Sequence, residues 1–229
     1  MSLLAIAPAL LSTFPSPQTS LAQAAPSPDS ITFWNGFEPP GDGAPEDTSG
    51  AGSRDGLACN ANEPPIRALM PARNFGLTLA EQPTVFVELP ETSARQVALI
   101  VTNEAGTYYE RAFLPMPEED VAAFTFPETF TPLTAGHNYR WSVVVMCEET
   151  VQPDDPVLSG WIQPVVADRR VSYPSPIEQA QWYAQNGYWY DLLSVLQAEV
   201  QSHPDNQQLQ SLWRSVLEAD LNESSPTAP

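Results

Sequence analysis

The sequence predicts an α+β protein, in which an antiparallel, immunoglobulin-like β-sandwich precedes a C-terminal helical hairpin of tetratricopeptide-like character and one further helix. Short apolar runs, several of them alternating with polar residues, recur between residues 84 and 166 with turn residues between them. Apolar residues then recur at helical spacing from residue 176 onward. Because no helix-length segment interrupts the strands, a sandwich is favoured over a parallel α/β sheet.

Six segments have the length and composition of strands, namely residues 84–89, 96–102, 107–114, 121–126, 139–147 and 157–166. Alternation places Val85, Val87 and Leu89 on one face of the first strand. One face of the fifth strand likewise carries Tyr139, Trp141, Val143 and Val145, followed by Cys147. Such alternation is typical of short strands with one buried face.

The helical part is expected to begin at Ser175, which can cap the helix, with Pro176 at the first helical position. Gly187 ends this first helix. A second helix carries Leu192, Leu193 and Leu196 at helical spacing, and a third begins near residue 207. The number of residues between Gly187 and the turn at Pro204 is typical of one tetratricopeptide unit. A single unit cannot bury its own apolar faces, so the sandwich or a second copy of the chain must cover them.

The chain divides by composition into five parts. The first 24 residues are interpreted as a signal peptide, because an apolar run precedes an Ala22-Gln23-Ala24 cleavage site. The usual basic n-region is missing, so a start further upstream and a disordered cytosolic leader both stay open. The remaining parts are a Pro/Gly-rich linker over residues 25–56, the sandwich over 57–172, the helices over 173–221, and a disordered tail over 222–229. Within the linker, residues 31–34 (ITFW) have the composition of a short edge strand or of a segment that docks on the domain.

Charge excludes several classes of partner. The chain carries 28 Asp and Glu residues against nine Arg and no Lys, for a net charge of −19. A surface of that sign repels nucleic acid and anionic lipid headgroups. The leading apolar run, at about 11 residues, is shorter than the roughly 20 needed to span a bilayer, and no later run is long enough. We therefore expect neither a nucleic-acid partner nor a membrane span.

Cys59 and Cys147 are the two cysteines of the chain. In an exported protein an isolated pair is most simply a disulfide, and this one would close a loop of nearly ninety residues. Two free buried thiols are the alternative.

Several segments, taken in order, resemble a known family. They are residues 68–71 (ALMP), 82–90 (QPTVFVELP), 133–141 (LTAGHNYRW), 159–162 (SGWI) and, most specifically, 183–193 (YAQNGYWYDLL). The family is cyanobacterial and is catalogued as domain of unknown function 928. The resemblance covers roughly residues 57–221 and implies a fold and an envelope location, but no chemistry.

Catalysis has little support in the sequence. His137 and His203 lie in turns, and neither has a second ligand at metal-binding spacing. Nucleophile-elbow, phosphate-loop and HExxH motifs are absent from the sequence. Acidic clusters at residues 118–120, 148–149 and 154–155 lack the spacing of an EF-hand, so they are interpreted as solvated loops. We expect no enzymatic activity, no cofactor and no metal site.

Six large rings in about thirty residues are the candidate interaction or packing surface: Trp182, Tyr183, Tyr188, Trp189, Tyr190 and Trp213. Such rings can bind a peptide or a sugar, or they can fix the helical hairpin to the sandwich. Packing is the favoured interpretation, because a lone hairpin needs partners, and a mixture of buried and groove-lining rings is the third option. Trp189 and Trp213 are the expected bridges to neighbouring elements.

The functional hypothesis is therefore an uncharacterised exported protein, located in the periplasm, at the cell surface or outside the cell, that acts as a non-enzymatic module for binding a protein partner in the envelope. The alternative is a protein that binds a small ligand, a glycan or Ca²⁺ through an aromatic groove or the acidic loops.

Overall fold

A computed structural model describes residues 59–60, 63, 65–71, 74–89, 92–117, 119–166 and 173–222. The predicted leader and linker, the ITFW segment and the tail beyond residue 222 lie outside the described residues. The described strands are β1 (Arg67–Ala68), β2 (Phe75–Thr78), β3 (Thr84–Glu88), β4 (Gln96–Asn103), β5 (Tyr109–Pro115), β6 (Val121–Thr125), β7 (Tyr139–Met146) and β8 (Val157–Pro164). The described helices are α1 (Pro176–Asn186), α2 (Trp189–Ser202) and α3 (Gln207–Asn222).

Two sheets share one core. A five-stranded sheet has the order β2-β8-β7-β4-β5, and a three-stranded sheet has the order β1-β3-β6. Alternation along each strand sends one set of side chains to the core, such as Val97, Leu99 and Val101 of β4. Val85 and Val87 of β3 join the same cluster from the other sheet. The predicted α+β class with mostly antiparallel sheets is thus confirmed, and all six predicted strands are present with ends shifted by one or two residues.

The strand pairing differs from the prediction at one edge of the larger sheet. β2 runs parallel to β8, with Phe75 opposite Trp161, although an entirely antiparallel sandwich was expected. Neither β1 nor β2 was predicted. β1 has two residues, and all four residues of β2 are buried, so neither shows the alternation that marks a half-exposed strand.

The helices begin and end where the sequence predicts. Ser175 caps α1, because its side-chain oxygen accepts a hydrogen bond from the Glu178 backbone N–H, and Pro176 follows. Gly187 ends α1 with φ of 73°, a left-handed conformation that a residue without Cβ adopts at little cost. The chain then reverses at once into α2.

A second apolar cluster joins the helices to the smaller sheet. Leu192, Leu193 and Leu196 of α2 lie in it with Leu212 and Val216 of α3, as the helical spacing predicted. Phe86 enters it from β3, because its side chain points away from the core that the two sheets share. The sandwich therefore covers an apolar face that the hairpin could not bury alone.

A disulfide joins Cys59 to Cys147, 88 positions apart, as predicted. Cys147 directly follows the last residue of β7, so the bond fixes the beginning of the described chain to a central strand of the larger sheet. Within the described residues both cysteines are accounted for, which rules out the alternative of two free thiols.

Candidate functional site

The predicted rings near Gly187 differ in their surroundings. Trp189 and Tyr190, which follow the turn, pack into the body of the protein. Trp182, Tyr183 and Tyr188 have the same intermediate burial as Trp189, and Tyr183 also packs against the apolar cluster of the helices. Four of the six rings, Tyr183, Trp189, Tyr190 and Trp213, thus lie in or against an apolar cluster.

Tyr190 is the most deeply placed of the rings. It lies in the core shared by the two sheets and is 1% exposed. Its hydroxyl accepts a hydrogen bond from Trp141 Nε1 at 2.7 Å and donates one to the Trp161 carbonyl at 2.9 Å. Burial raises the pKa of the Tyr190 phenol far above its ordinary value. Tyr190 is therefore a structural residue, because its polar atom is satisfied inside the protein and no ligand can reach it.

Trp189 bridges the two apolar clusters. Its ring packs against both, and its Nε1 donates to the Leu69 carbonyl at 2.9 Å. β2 makes room for this contact at Gly76, where an added Cβ would lie 2.9 Å from Trp189 Cβ and 3.0 Å from a ring carbon of Tyr190. The start of α2 thus approaches the backbone of β2 directly.

Asp191 ties α2 to the end of β2. Its carboxylate accepts a hydrogen bond from the Leu79 backbone N–H at 3.0 Å. Burial raises the pKa of Asp191 to about 6, although hydrogen bonds from Leu79 and from the Thr78 side chain partly oppose the rise. This carboxyl group, which was not among the predicted site residues, is the described acid with the largest upward displacement of its pKa.

Four rings form the candidate site, which we call the aromatic cluster: Tyr173, Trp182, Tyr183 and Tyr188. Trp182 is central, with its ring centroid 5.1 Å from that of Tyr188, 5.5 Å from Tyr173 and 5.6 Å from Tyr183. The rings meet at angles between 43° and 79°, so they form ridges and not one flat surface. All four are half-buried, and each therefore presents part of its surface to solvent.

The aromatic cluster also offers hydrogen-bond donors. Gln179 Nε2 donates to the Tyr183 hydroxyl at 2.8 Å, which leaves the proton of that hydroxyl available for another acceptor. Among the described residues, no acceptor is bonded to Trp182 Nε1 or to the Tyr173 hydroxyl. Burial, and then the proximity of Tyr183 and Tyr188, raises the pKa of Tyr173. The phenol of Tyr173 therefore remains a donor well above neutral pH.

Trp213 lies apart from these rings. It packs against the apolar cluster of α2 and α3, on the helical side of the smaller sheet. The expectation that Trp213 contacts neighbouring elements agrees with this position. Tyr173, by contrast, was not predicted. It precedes the Ser175 cap and has no periodic neighbour, and its proximity to Trp182 arises only once α1 has formed.

The weaker candidates for chemistry do not converge. His137 and His203 are exposed, and their ring nitrogens lie near the backbone carbonyls of Ala135 and Glu199. Over the described part of the chain, no three His, Cys, Asp or Glu residues are grouped as a metal site would require. Asp155 corrects the interpretation of its acidic loop as solvated. It is 6% exposed and accepts hydrogen bonds from the backbone N–H groups of Cys147 and Gln152.

The family comparison agrees with these features. The sequence profile of the family described as Domain of Unknown Function (DUF928) matches residues 49–228. The chain belongs to this family. The match covers every strand, every helix, both cysteines of the disulfide and all four rings of the aromatic cluster, so the DUF928 domain is the whole of the described fold. The family name carries no activity.

A search of curated proteins found no match for this DUF928 domain. Among solved structures, the fn3 domain of the human collagen alpha-1(XX) chain is similar over 43% of this chain and 82% of its own, at 18% identity. The TM-score of that superposition is 0.30. None of the described helices combines the length and the apolar character needed to cross a membrane.

Proposed function

We propose that this DUF928 protein is a non-enzymatic interaction module that binds a partner polypeptide through the aromatic cluster. The observation that carries the proposal is the exposure of the cluster. Trp182, Tyr173, Tyr183 and Tyr188 remain accessible although Trp189 and Tyr190, immediately along the chain, already fix the helices to the sandwich. Packing against the sandwich therefore accounts for Trp189 and Tyr190. Within the aromatic cluster Tyr183 packs against the apolar cluster of the helices, whereas the central ring, Trp182, belongs to neither apolar cluster.

Ring geometry favours a polypeptide over a sugar as the ligand. A sugar ring stacks on a flat aromatic face, whereas these rings are tilted by 43° to 79° against one another. Ridges of this kind suit the side chains and free carbonyls of an extended peptide, which accept hydrogen bonds from phenol and indole donors. Tryptophan and tyrosine are also enriched among the residues that dominate binding energy at protein interfaces.

Affinity capture with matched variants tests this proposal. Partners retained by the wild-type protein are identified and then titrated against Trp182→Ala and against Tyr109→Ala, which removes a more exposed ring on β5, far along the chain from the aromatic cluster. We expect Trp182→Ala to weaken binding at least tenfold, about 1.4 kcal/mol, and Tyr109→Ala to leave it unchanged.

Two results would contradict the proposal. Equal affinity of the wild-type and Trp182→Ala proteins for the captured partner would place the interface elsewhere. An oligosaccharide that raises the melting temperature of the wild-type protein but not of Trp182→Ala would show a glycan site, because a ligand bound to the folded state stabilises it.

We also infer that the protein works outside the cytoplasm, in a cyanobacterial envelope. The disulfide supports an oxidising compartment, and the apolar leader followed by Ala22-Gln23-Ala24 supports export. Sequencing the N-terminus of exported material is expected to find Ala25 or a close neighbour. Recovery of chains that still begin at Met1 would indicate a cytosolic protein.

Within this proposal, the sandwich is immunoglobulin-like and the hairpin is a single tetratricopeptide-like unit. The tight reversal at Gly187 between two antiparallel helices, followed by a third, supports the second assignment. Because repeats of that type present their helices to partners, the assignment agrees with a binding surface on α1.

A further inference from the structure

The outer face of the five-stranded sheet points away from the core that the two sheets share. The pairing register places Ala98 of β4 between Phe113 of β5 and Val144 of β7, and the next outward residue of β7 is Met146. Ala98, Val144 and Met146 form an apolar cluster, with Ile100 and Val157 at its border. This cluster is distinct from the aromatic cluster, which lies on the helical part.

These outward side chains are buried. Ala98 is 0% exposed, Met146 is 2% and Val144 is 7%, whereas Phe113, in the same row at the sheet edge, is 48% exposed. The described helices do not explain the burial, because α2 packs on β2 and β3 and makes no comparable contact with β4 or β7. The middle of this face is therefore buried without a described helix packed on it, whereas the β5 edge is open.

The face has a charge unlike that of the rest of the molecule. The outward residues of β4, β5, β7 and β8 include Arg111 and Arg140 but no carboxylate, in a chain whose net charge is −19. A cover of apolar residues flanked by acids would complement such a surface. Residues 31–37 (ITFWNGF) have this composition, with Asp29 before them and Glu38 after them.

The disulfide brings this part of the chain to the right place. Cys147 is the residue after Met146, and its bond to Cys59 fixes the incoming chain at the end of the apolar face. A groove opens at that end, and its lining includes Arg95 and Met146 together with the acids Glu148 and Glu149. The 21 residues from 38 to 58 can span roughly 70 Å when extended, whereas an eight-residue strand is about 27 Å long. A tether of that length keeps the segment at a high local concentration over the face.

We propose that residues 31–37 dock on the outer face of the five-stranded sheet and cover Ala98, Val144 and Met146. The apolar side chains of Ile31, Phe33 and Trp34 supply the contact, and the neighbouring acids lie toward the arginines. The segment then acts as a third layer on the sheet side opposite to the helices. A second copy of the chain is the less favoured occupant, because two molecules of charge −19 repel each other.

Methyl NMR on the full-length chain tests this proposal. With labelled methionine methyl groups, we expect nuclear Overhauser contacts between the Met146 methyl group and the rings of Phe33 and Trp34. In the double variant Phe33→Ala, Trp34→Ala these contacts disappear, the Met146 resonance shifts, and binding of a dye specific for exposed apolar surface increases severalfold. Trp182→Ala, which removes a half-buried indole on α1, serves as the control and leaves the Met146 resonance unchanged.

Two outcomes would overturn the assignment. If the Met146 resonance and the dye binding are the same in the wild-type protein and the double variant, residues 31–37 do not cover the face. If the contacts appear only between labelled and unlabelled molecules in a mixed sample, a second copy is the occupant. Loss of partner binding at the aromatic cluster affects neither readout, so this inference and the proposed function fail separately.

Discussion

At the scale of single residues, two tryptophans seven positions apart have similar burial but different contacts. Trp189 packs into both apolar clusters and donates to the Leu69 carbonyl, whereas Trp182 is half-exposed among other rings. We expect Trp189→Ala to lower the free energy of unfolding by about 3–5 kcal/mol, because truncating a packed aromatic side chain leaves a cavity and an unpaired carbonyl. Denaturant unfolding measures this loss.

Trp182→Ala is the matched control, since it removes the same side chain from the same hairpin. Its expected cost is about 1 kcal/mol or less, as is usual for partly exposed positions. Equal losses for the two variants would mean that the aromatic cluster is part of the core, and the binding proposal would lose its main support.

Asp191 makes a pH-dependent contribution to stability. Burial raises the pKa of Asp191 to about 6 in the folded protein, above its ordinary value of 3.8, so the folded state binds the proton more tightly. Its contribution to stability is therefore full below about pH 4 and is lost as the pH rises to about 6 and beyond. Asp191→Asn keeps an oxygen acceptor for the Leu79 N–H but cannot ionise. We expect the variant to gain about 1–3 kcal/mol over the wild type between pH 4 and pH 7.

Unfolding curves of the two proteins across that range measure the difference. A constant offset between them, independent of pH, would show that the Asp191 carboxyl titrates at the same pH in the folded and unfolded chains. A gain that grows as the pH falls would contradict the sign of the argument.

At the scale of elements, alternation made most of the strands predictable. β3, β4 and β7 each send every second side chain into the shared core, and that period of two is visible in the sequence. The parallel pairing of β2 with β8 was not predictable, since it joins segments about 85 residues apart without any local signal. The ends of α1 could be predicted from the sequence, because Ser175 is a typical N-cap residue and Gly187 a typical C-cap residue.

The sequence could not predict which of the aromatic rings pack against the sandwich, because that also depends on contacts between distant segments. Trp182 and Tyr183 belong to α1, and Trp189 and Tyr190 belong to α2, so the turn at Gly187 changes which face each pair presents. Which side chains become buried depends on how closely α2 packs against β2. That close packing requires Gly76, which lies more than a hundred residues before α2 in the sequence. Sequence alone therefore identified the rings but not their separate roles.

The helical part is expected not to fold by itself. Its apolar cluster is completed by Leu69 and by Phe86 of β3, and Trp189 also reaches the core between the sheets. Residues 175–221 expressed alone lose these partners, so we expect a largely unfolded or aggregated fragment by circular dichroism and sedimentation. A monomeric, cooperatively melting helical fragment would instead establish an independent domain, and a packing role for Trp189 would then be superfluous.

At the scale of the whole molecule, charge and burial oppose each other. A net charge of −19 favours expansion, since like charges repel in the compact state, and a single core between two sheets has to overcome it. Some of the described carboxylates form stabilising contacts within the fold. Asp155 accepts hydrogen bonds from the backbone N–H groups of Cys147 and Gln152, and an ion pair joins Arg67 of β1 to Glu88 of β3. Such contacts, together with the disulfide, keep the edges of the sandwich closed.

The disulfide is expected to contribute most to global stability. It closes a loop of 88 positions, and the chain-entropy treatment of such a crosslink gives about 4–5 kcal/mol. The Cys59→Ser, Cys147→Ser double variant should therefore unfold at markedly lower denaturant concentration than the oxidised wild type. Because the crosslink restricts the unfolded chain, the denaturant dependence of the unfolding free energy is also expected to be steeper in the variant. Reduced wild type is the control for the substitutions themselves and should behave like the variant. Identical midpoints for oxidised and reduced protein would mean that the crosslink is dispensable, and that packing alone holds the incoming chain against β7.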